Sequence, residues 1–212
     1  MYSLPNAKIN IGLNIVERRP DGYHNLQTVF YPIPLTDSLE LKPTTADEFE
    51  FLSSGLNIAG QSDDNLVVKV YKTLAAEFDL PPVEIHLSKH IPMGAGLGGG
   101  SSDAAFMMRM LCEHFHLRLT DADMERRLAA FGADCPFFIR NKAVYAQGIG
   151  NQFTPIKLSL KGYHIVLVKP QTHVSTAEAY SAVCPEHPAH DLVETLTTSP
   201  IEEWRNLVFN DF

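Results

Sequence analysis

Apolar and polar residues alternate strictly along residues 6–16, NAKINIGLNIV, where every second side chain from Ala7 to Ile15 is apolar. This period of two predicts a strand with one buried face. The opposite face carries Lys8, Asn10 and Asn14, an unusual set for so apolar a segment. Three further strands are predicted in LQTVFYPI, SLELKP and EFEFLSSG, and we expect them to form a meander.

The next segment, NLVVKVYKTLAAEF, has apolar residues at helical spacing, and Asp64 is predicted to cap this helix. The strand VEIHL then leads through a glycine-rich loop to a second helix, expected from Ser101 or Ser102 to about His114. Thr120 is predicted to cap a third helix over DADMERRLAAF, which Gly132 ends.

The remaining pattern predicts short strands in PFFIR and AVYAQG and a buried strand in GYHIVLVKP. Helices are predicted in STAEAYSAV, DLVETL and IEEWRNLVF. Because strands and helices mix without regular alternation, we expect an α+β fold. We place a domain boundary after residue 159, which gives an N-terminal domain of residues 1–159 and a C-terminal part of residues 160–212.

Composition narrows the function classes. The 212 residues are 45% hydrophobic and 20% charged, with a net charge of −8. This acidic balance argues against nucleic-acid binding, which recruits basic patches. No signal peptide or membrane span is evident, and the sequence carries no signal for an oligomeric state. Three cysteines without C-x-x-C spacing indicate buried, reduced thiols in a cytoplasmic protein.

Five of the seven residues from Gly94 to Gly100 are glycine, directly before a helix. The Walker phosphate loop requires a lysine where Gly100 stands, so that interpretation fails. The dinucleotide pattern matches at Gly94, Gly96 and Gly99, but a proline-containing segment separates it from the strand. Two interpretations stay open: an anion site at a helix N-terminus, or a mobile loop with serine caps. Asp103 is expected to be a first-turn acid, which would repel a phosphate unless it pointed away or a cation intervened.

Several motifs together resemble the galactokinase, homoserine kinase, mevalonate kinase and phosphomevalonate kinase superfamily. They are PNAKINIGLNI, RPDGYHNLQTVF, DNLV, IPMGAGLGGGSSDAA and GADCPFF, followed by VLVKPQTHVSTAEAY and NDF. The motif RPDGYH after the lysine strand is similar to the branch that acts on a cytidine-diphosphate-linked methylerythritol. The resemblance implies transfer of the ATP γ-phosphate to a hydroxyl of this substrate in non-mevalonate isoprenoid synthesis.

The resemblance also implies an architecture and a set of site residues. It implies an N-terminal domain like domain 2 of ribosomal protein S5 and an incomplete ferredoxin-like C-terminal domain, with the active site between them. Lys8 and Asp134 match the catalytic pair; Asn10, Tyr23, His24 and Tyr180 match substrate-binding positions. The segment implied to hold the phosphates of ATP, with Mg²⁺, is Pro92, Met93, Gly94, Ala95, Gly96, Leu97, Gly98, Gly99, Gly100, Ser101 and Ser102.

Family chains continue beyond NDF into a second glycine-rich segment, whereas this sequence ends there. We therefore expect its C-terminal domain to be incomplete. Two alternatives are a sibling kinase for homoserine or mevalonate, against which RPDGYHNL speaks, and a nucleotide-binding module without catalysis. His187 and His190 lie three residues apart, but without an acidic partner they are not predicted to bind a metal.

Overall fold

The chain forms two compact units in the computed structural model, which describes residues 1–58, 60–170, 174 and 176–212. The first unit combines residues 1–8 with 32–141, and the second combines residues 9–31 with 142–212. The domain boundary after residue 159 stays a prediction.

The strands form two four-stranded sheets. Their bounds are β1 Tyr2–Ser3, β2 Asn6–Arg18, β3 His24–Thr36, β4 Ser38–Pro43, β5 Glu50–Gly55, β6 Val83–Lys89, β7 Val144–Gln147 and β8 Gln152–Pro155. One sheet has the order β1-β4-β6-β5 and the other β2-β3-β7-β8. The predicted meander is wrong, because β3 and β4 lie in different sheets and β5 pairs in parallel with β6.

Asp37 lies where the chain passes from β3 in one sheet to β4 in the other. Its buried carboxylate accepts hydrogen bonds from the backbone N–H groups of His90 and Ile91, which follow β6. A buried carboxylate needs such donors. Asp37 therefore fixes the start of β4 beside the end of β6, and the two strands run antiparallel from there.

The helices mostly follow the predicted order. Their bounds are α1 Leu66–Phe78, α2 Gly99–His114, α3 Asp121–Leu128, α4 Phe137–Arg140, α5 Thr176–Ala182, α6 Leu192–Thr198 and α7 Trp204–Leu207, with 3₁₀ turns at Ser62–Asp64 and Ile201–Glu203. Asn65 caps α1, by accepting from the Val67 N–H, and the predicted cap Asp64 instead ends a 3₁₀ turn. The predicted Thr120 cap of α3 is confirmed as a capping box with Asp123. That helix ends at Leu128, earlier than predicted.

In the first unit, α1 and α2 pack against each other and α2 also contacts β4. The strand predicted in VEIHL is confirmed as β6, whose side chains alternate so that Val83, Ile85, Leu87 and Lys89 are buried. Burial of Lys89 is notable because a lysine rarely lies in a core unless it is paired.

In the second unit, Ile11 and Val29 from the sheet form a core cluster with Leu192 and Leu196 from α6. The strand β2 was predicted to bury one face only, but every residue from Ile11 to Ile15 is buried. Gly12 has a φ of +67°, and a Cβ there would lie 2.8 Å from Leu192 Cδ1. The absence of a side chain at Gly12 thus lets α6 approach the strand closely.

Three other predictions are wrong. The segment PFFIR contains the helix α4, whose residues Phe137, Phe138 and Ile139 are all buried. GYHIVLVKP has no regular structure, and Val166 and Val168 are more than four-fifths exposed because no described strand pairs with them. Of the three free thiols, Cys112 and Cys135 are buried, whereas Cys184 is exposed. None of the helices in the described part of the chain is long and apolar enough to cross a membrane.

Candidate active site

The glycine loop lines a cavity of about 350 Å³ in the first unit. Ten of the eleven predicted phosphate-loop residues, from Pro92 to Ser101, lie on its wall. The exception is Ser102, which is fully buried and whose Oγ has no hydrogen-bond partner among the described residues. Helix α2 begins at Gly99, earlier than predicted, so the cavity receives the N-terminal end of this 16-residue helix. Such an end attracts anions through its free N–H groups and its dipole.

Glycine is required in this loop by backbone conformation and by space. Gly94, Gly96 and Gly98 all have φ between +64° and +70°, a region that side chains disfavour. A Cβ at Gly98 would lie 2.9 Å from Phe138 Cζ and 3.0 Å from Lys8 Cγ. The loop backbone therefore lies directly against the side chain of Lys8.

Lys8 and Asp134, the predicted catalytic pair, form an ion pair with Nζ 3.2 Å from Oδ2. The Lys8 side chain is 5% exposed and that of Asp134 is 33% exposed, so the carboxylate is the member that solvent reaches. The backbone N–H of Lys8 donates to the carbonyl of Leu97 at 2.9 Å. One strand residue thus joins the glycine loop to the acidic residue.

The turn that carries Asp134 is held by its neighbours. Cys135 is fully buried, its N–H donates to Gly132 O, and its thiol is hydrogen-bonded with Ser101 at the loop. Burial raises the pKa of this thiol to about 11, so it stays protonated and acts as a packing group. Asp134 is therefore fixed next to a residue that contacts the loop.

Asp103 lies in the second turn of α2 and points away from solvent toward Lys89. Its Oδ2 accepts from Lys89 Nζ at 2.8 Å, and Lys89 also donates to Asp37. The prediction of a first-turn acid is wrong because the helix starts at Gly99. The Lys89 ammonium is the cation beside Asp103 that the sequence analysis required if a phosphate is to bind nearby. Burial raises the pKa of Asp103 to about 7, while Lys89 acts in the opposite direction.

The predicted substrate-binding residues Asn10, Tyr23, His24 and Tyr180 lie in the second unit. The rings of His24 and Tyr180 are stacked, with centroids 5.0 Å apart and planes 19° apart. Tyr180 also receives an edge contact from Phe212 at 4.9 Å. Asn10 Nδ2 donates to Thr28 Oγ1 at 3.1 Å. The ring stacked on Tyr180 in this structure is thus that of His24.

Tyr23 is 61% exposed, and a tight loop presents its ring. Its backbone N–H donates to Asp21 Oδ1, and its carbonyl accepts from the N–H of Arg19. The Arg19 guanidinium in turn binds the Asp21 carboxylate through both Nε and Nη2. The motif RPDGYH is therefore a closed turn that holds an exposed aromatic side chain.

Sequence reasoning missed part of the cavity wall. The start of α1 also lines it, through Asn65 and Leu66, as does Lys89. The motif DNLV marked the α1 residues as part of the resemblance, but not as cavity residues. In the sequence, one feature could have identified Lys89 as a cavity residue. It occupies the same alternating register as the buried residues of β6 and so continues the buried face of that strand.

The chain resembles known kinases over its whole length. The family model described as "GHMP kinases N terminal domain" matches residues 65–142. A 4-diphosphocytidyl-2-C-methyl-D-erythritol kinase of Bacteroides fragilis is 57% identical over all of this chain and 78% of its own length. The enzyme of the same name from Porphyromonas gingivalis is 46% identical, again over all of this chain and 78% of its own.

The fold of the chain is also similar to that of kinases whose structures have been solved. A crystal structure of 4-(cytidine 5'-diphospho)-2C-methyl-D-erythritol kinase has a TM-score of 0.71 and 32% identity, covering 92% of this chain and 71% of its own. The mevalonate kinase of Methanococcus jannaschii has a TM-score of 0.56 at 18% identity, covering 74% of this chain and 56% of its own. The second likeness concerns the fold alone, and both support the predicted α+β kinase fold.

Proposed function

Because the chain belongs to the family of 4-diphosphocytidyl-2-C-methyl-D-erythritol kinases, we infer that it is an ATP-dependent small-molecule kinase of isoprenoid synthesis. Its substrate is 4-diphosphocytidyl-2-C-methyl-D-erythritol, on which it phosphorylates a hydroxyl group. The single structural observation that carries this function is the Lys8–Asp134 ion pair, joined through Lys8 to a glycine loop at a helix N-terminus.

The glycine loop is the proposed site of the ATP phosphates. The N–H groups at the start of α2 and the positive end of its dipole face the cavity that the loop lines. Phosphoryl transfer needs positioning and charge stabilisation more than covalent help. A loop with fixed backbone donors supplies both.

Mg²⁺ is proposed to arrive with ATP. This ion keeps several waters and binds through phosphate oxygens plus one or two carboxylates. At the glycine loop its ligands would be the phosphate oxygens of ATP together with water. When bound, the ion supplies positive charge to the phosphate oxygens.

Lys8 and Asp134 are proposed to act on the accepting hydroxyl. The Lys8 ammonium pairs with the Asp134 carboxylate and lowers the cost of negative charge that develops on the hydroxyl oxygen. Asp134 orients the hydroxyl and receives its proton late, as charge moves to phosphorus. Its partial exposure leaves room for a substrate to reach it.

The cytidine end is proposed to bind at the second unit. Tyr23 offers an exposed ring, and Tyr180 offers a ring already positioned by stacking. His24 and Asn10 carry hydrogen-bonding groups suited to a base edge and a hydroxyl.

We further propose that residues 1–159 form the S5-like domain and that residues 160–212 form part of a ferredoxin-like domain. We also propose that the protein is cytoplasmic and has no nucleic-acid or membrane partners.

The test is ADP release by the 212-residue chain with Mg-ATP and one acceptor per reaction. The acceptors are the cytidine-linked methylerythritol, homoserine and mevalonate. Turnover that depends on the first acceptor supports the proposal, and the Asp134→Asn variant should lower it at least about 100-fold. Turnover with homoserine or mevalonate instead would refute the assignment of the substrate. Nucleotide binding without turnover on any acceptor would refute catalysis by this chain.

A further inference from the structure

Lys89, Asp37 and Asp103 form a buried group of charged side chains in the first unit, here called the Lys89 cluster. Each residue is at most 3% exposed. One ammonium faces two carboxylates, so the cluster keeps a negative charge whenever both acids are ionised. The Oδ1 atom of Asp103 is buried and has no hydrogen-bond partner among the described residues. Uncompensated buried charge is unfavourable, so packing alone does not account for Asp103.

The Lys89 cluster holds both ends of the glycine loop. At the start of the loop, Asp37 Oδ1 accepts from His90 N at 2.5 Å and from Ile91 N at 2.8 Å. At its end, Asp103 extends from α2 to Lys89 Nζ at 2.8 Å. The ammonium therefore bridges the residues that enter the loop and the helix that leaves it.

The loop backbone also lies against the ammonium itself. A Cβ built on Gly99 would lie 3.1 Å from Lys89 Nζ and 3.0 Å from Ile91 Cγ2. Gly99 is the first residue of α2, where the N–H groups proposed to bind phosphate begin. Lys89 and Asp103 both line the cavity beside it. The cluster is thus in contact with the part of the loop that would hold the nucleotide.

We propose that the Lys89 cluster is a positioning device that holds the glycine loop in its anion-binding shape, and that Asp103 is present for nucleotide affinity rather than for stability. This inference rests on the proposed function of the loop as the ATP site. A segment with five glycines has many conformations to lose when it binds a ligand. If the two ends of the loop are held in place before ATP binds, the loop loses less conformational entropy on binding. The dissociation constant for the nucleotide is therefore lower.

Asp103→Ala is the decisive variant. It leaves Lys89 paired with Asp37 alone, one positive charge with one negative charge, and it removes the unpartnered Oδ1. The variant should therefore fold with a melting temperature equal to or above that of the wild type at pH 8. Its dissociation constant for the non-hydrolysable Mg-AMPPNP, measured by calorimetric titration, should rise at least tenfold. The KM for the cytidine-linked substrate should stay within twofold.

Two further variants complete the experiment. Asp103→Asn keeps an oxygen that can accept from Lys89, and it should restore nucleotide affinity to within threefold of the wild type. Asp121→Ala removes an exposed carboxylate of α3 in the same unit and should change neither affinity nor melting temperature. If Asp103→Asn restores the affinity for Mg-AMPPNP, Asp103 acts by positioning the loop through its hydrogen bond to Lys89, and its negative charge is not required.

Three results would overturn the inference. The first is an Asp103→Ala variant that binds Mg-AMPPNP within twofold of the wild type. The second is a loss of affinity that accompanies a lower melting temperature and an equal rise in both KM values, which marks a structural defect only. The third is a wild-type chain that does not bind Mg-AMPPNP at all, which would refute the proposed function as well, whereas the first two leave that function intact.

Discussion

Lys8 Nζ lies 3.2 Å from Asp134 Oδ2, although the two residues come from opposite ends of the first unit in sequence. The lysine is almost fully buried and the carboxylate is partly exposed. Burial strengthens the attraction between them because the local dielectric constant is low. The pair is therefore a fixed cation that holds an accessible anion, an arrangement suited to orienting a hydroxyl group.

Asp134→Asn should lower kcat at least about 100-fold, because an amide cannot accept the proton of the substrate hydroxyl. The dissociation constant for Mg-AMPPNP should change less than threefold. Steady-state ADP release and calorimetric titration measure the two quantities. Asp121→Asn, which neutralises an exposed carboxylate elsewhere in the unit, serves as the control. A variant at Asp134 with near wild-type kcat would rule out the role of proton acceptor.

Local signals in the sequence predicted the elements that depend on local physics. The strict alternation of β2, the helical spacing of α1 and the Thr120 cap of α3 all correspond to observed elements. PFFIR failed because a short apolar run has no periodicity that separates a strand from a buried helix. GYHIVLVKP failed because a strand requires a partner, and apolar character alone does not supply one.

The parts of the candidate site that lie within contiguous sequence motifs could be predicted from the sequence. The glycine loop and the Lys8–Asp134 pair followed from the resemblance, and the structure brings Lys8 into contact with both the loop and Asp134. The Lys89 cluster was not predicted, because its three members are joined only by the fold, with Asp37 52 residues before Lys89. A lysine at the buried register of a strand is the signal that could have revealed it.

Gly98→Ala should raise the KM for ATP about tenfold and lower the melting temperature. Its φ of +68° costs a side chain about 1–2 kcal/mol, and the new Cβ would also contact Phe138 and Lys8. Gly96→Ala is the matched control, since Gly96 has φ +70° but a Cβ there would meet no atom of the described residues within 4 Å. The difference in KM for ATP and in melting temperature between the two variants therefore measures the effect of the contacts with Phe138 and Lys8 alone. Equal effects would show that the approach of Lys8 to the loop is unimportant.

The stability of the chain should depend on pH through Asp103. Burial raises its pKa from 3.8 to about 7, with Lys89 lowering and Asp37 raising it. The folded state therefore binds the proton more tightly than the unfolded state, and stability from this group is lost as pH rises from about 4 to 7. Asp103→Asn does not titrate. Its free energy of unfolding relative to the wild type should increase across this range, by about 4 kcal/mol at most.

Urea denaturation of both proteins at pH 5 and pH 8 measures that difference. The Asp121→Asn variant, which neutralises an exposed carboxylate of the same unit, is the control. A difference between Asp103→Asn and the wild type that is the same at both pH values would contradict the raised pKa of Asp103.

Tyr180→Ala should raise the KM for the cytidine-linked substrate about tenfold and leave the KM for ATP unchanged. Stacking of a base on an aromatic ring contributes about 1–3 kcal/mol. Phe212→Leu should cause a smaller rise, since it removes only the edge contact at 4.9 Å that supports Tyr180. Tyr163→Ala, at an exposed tyrosine of the same unit, is the control. If Tyr180→Ala bound both substrates normally, the stacked pair of Tyr180 and His24 would be part of the fold and not of the substrate site.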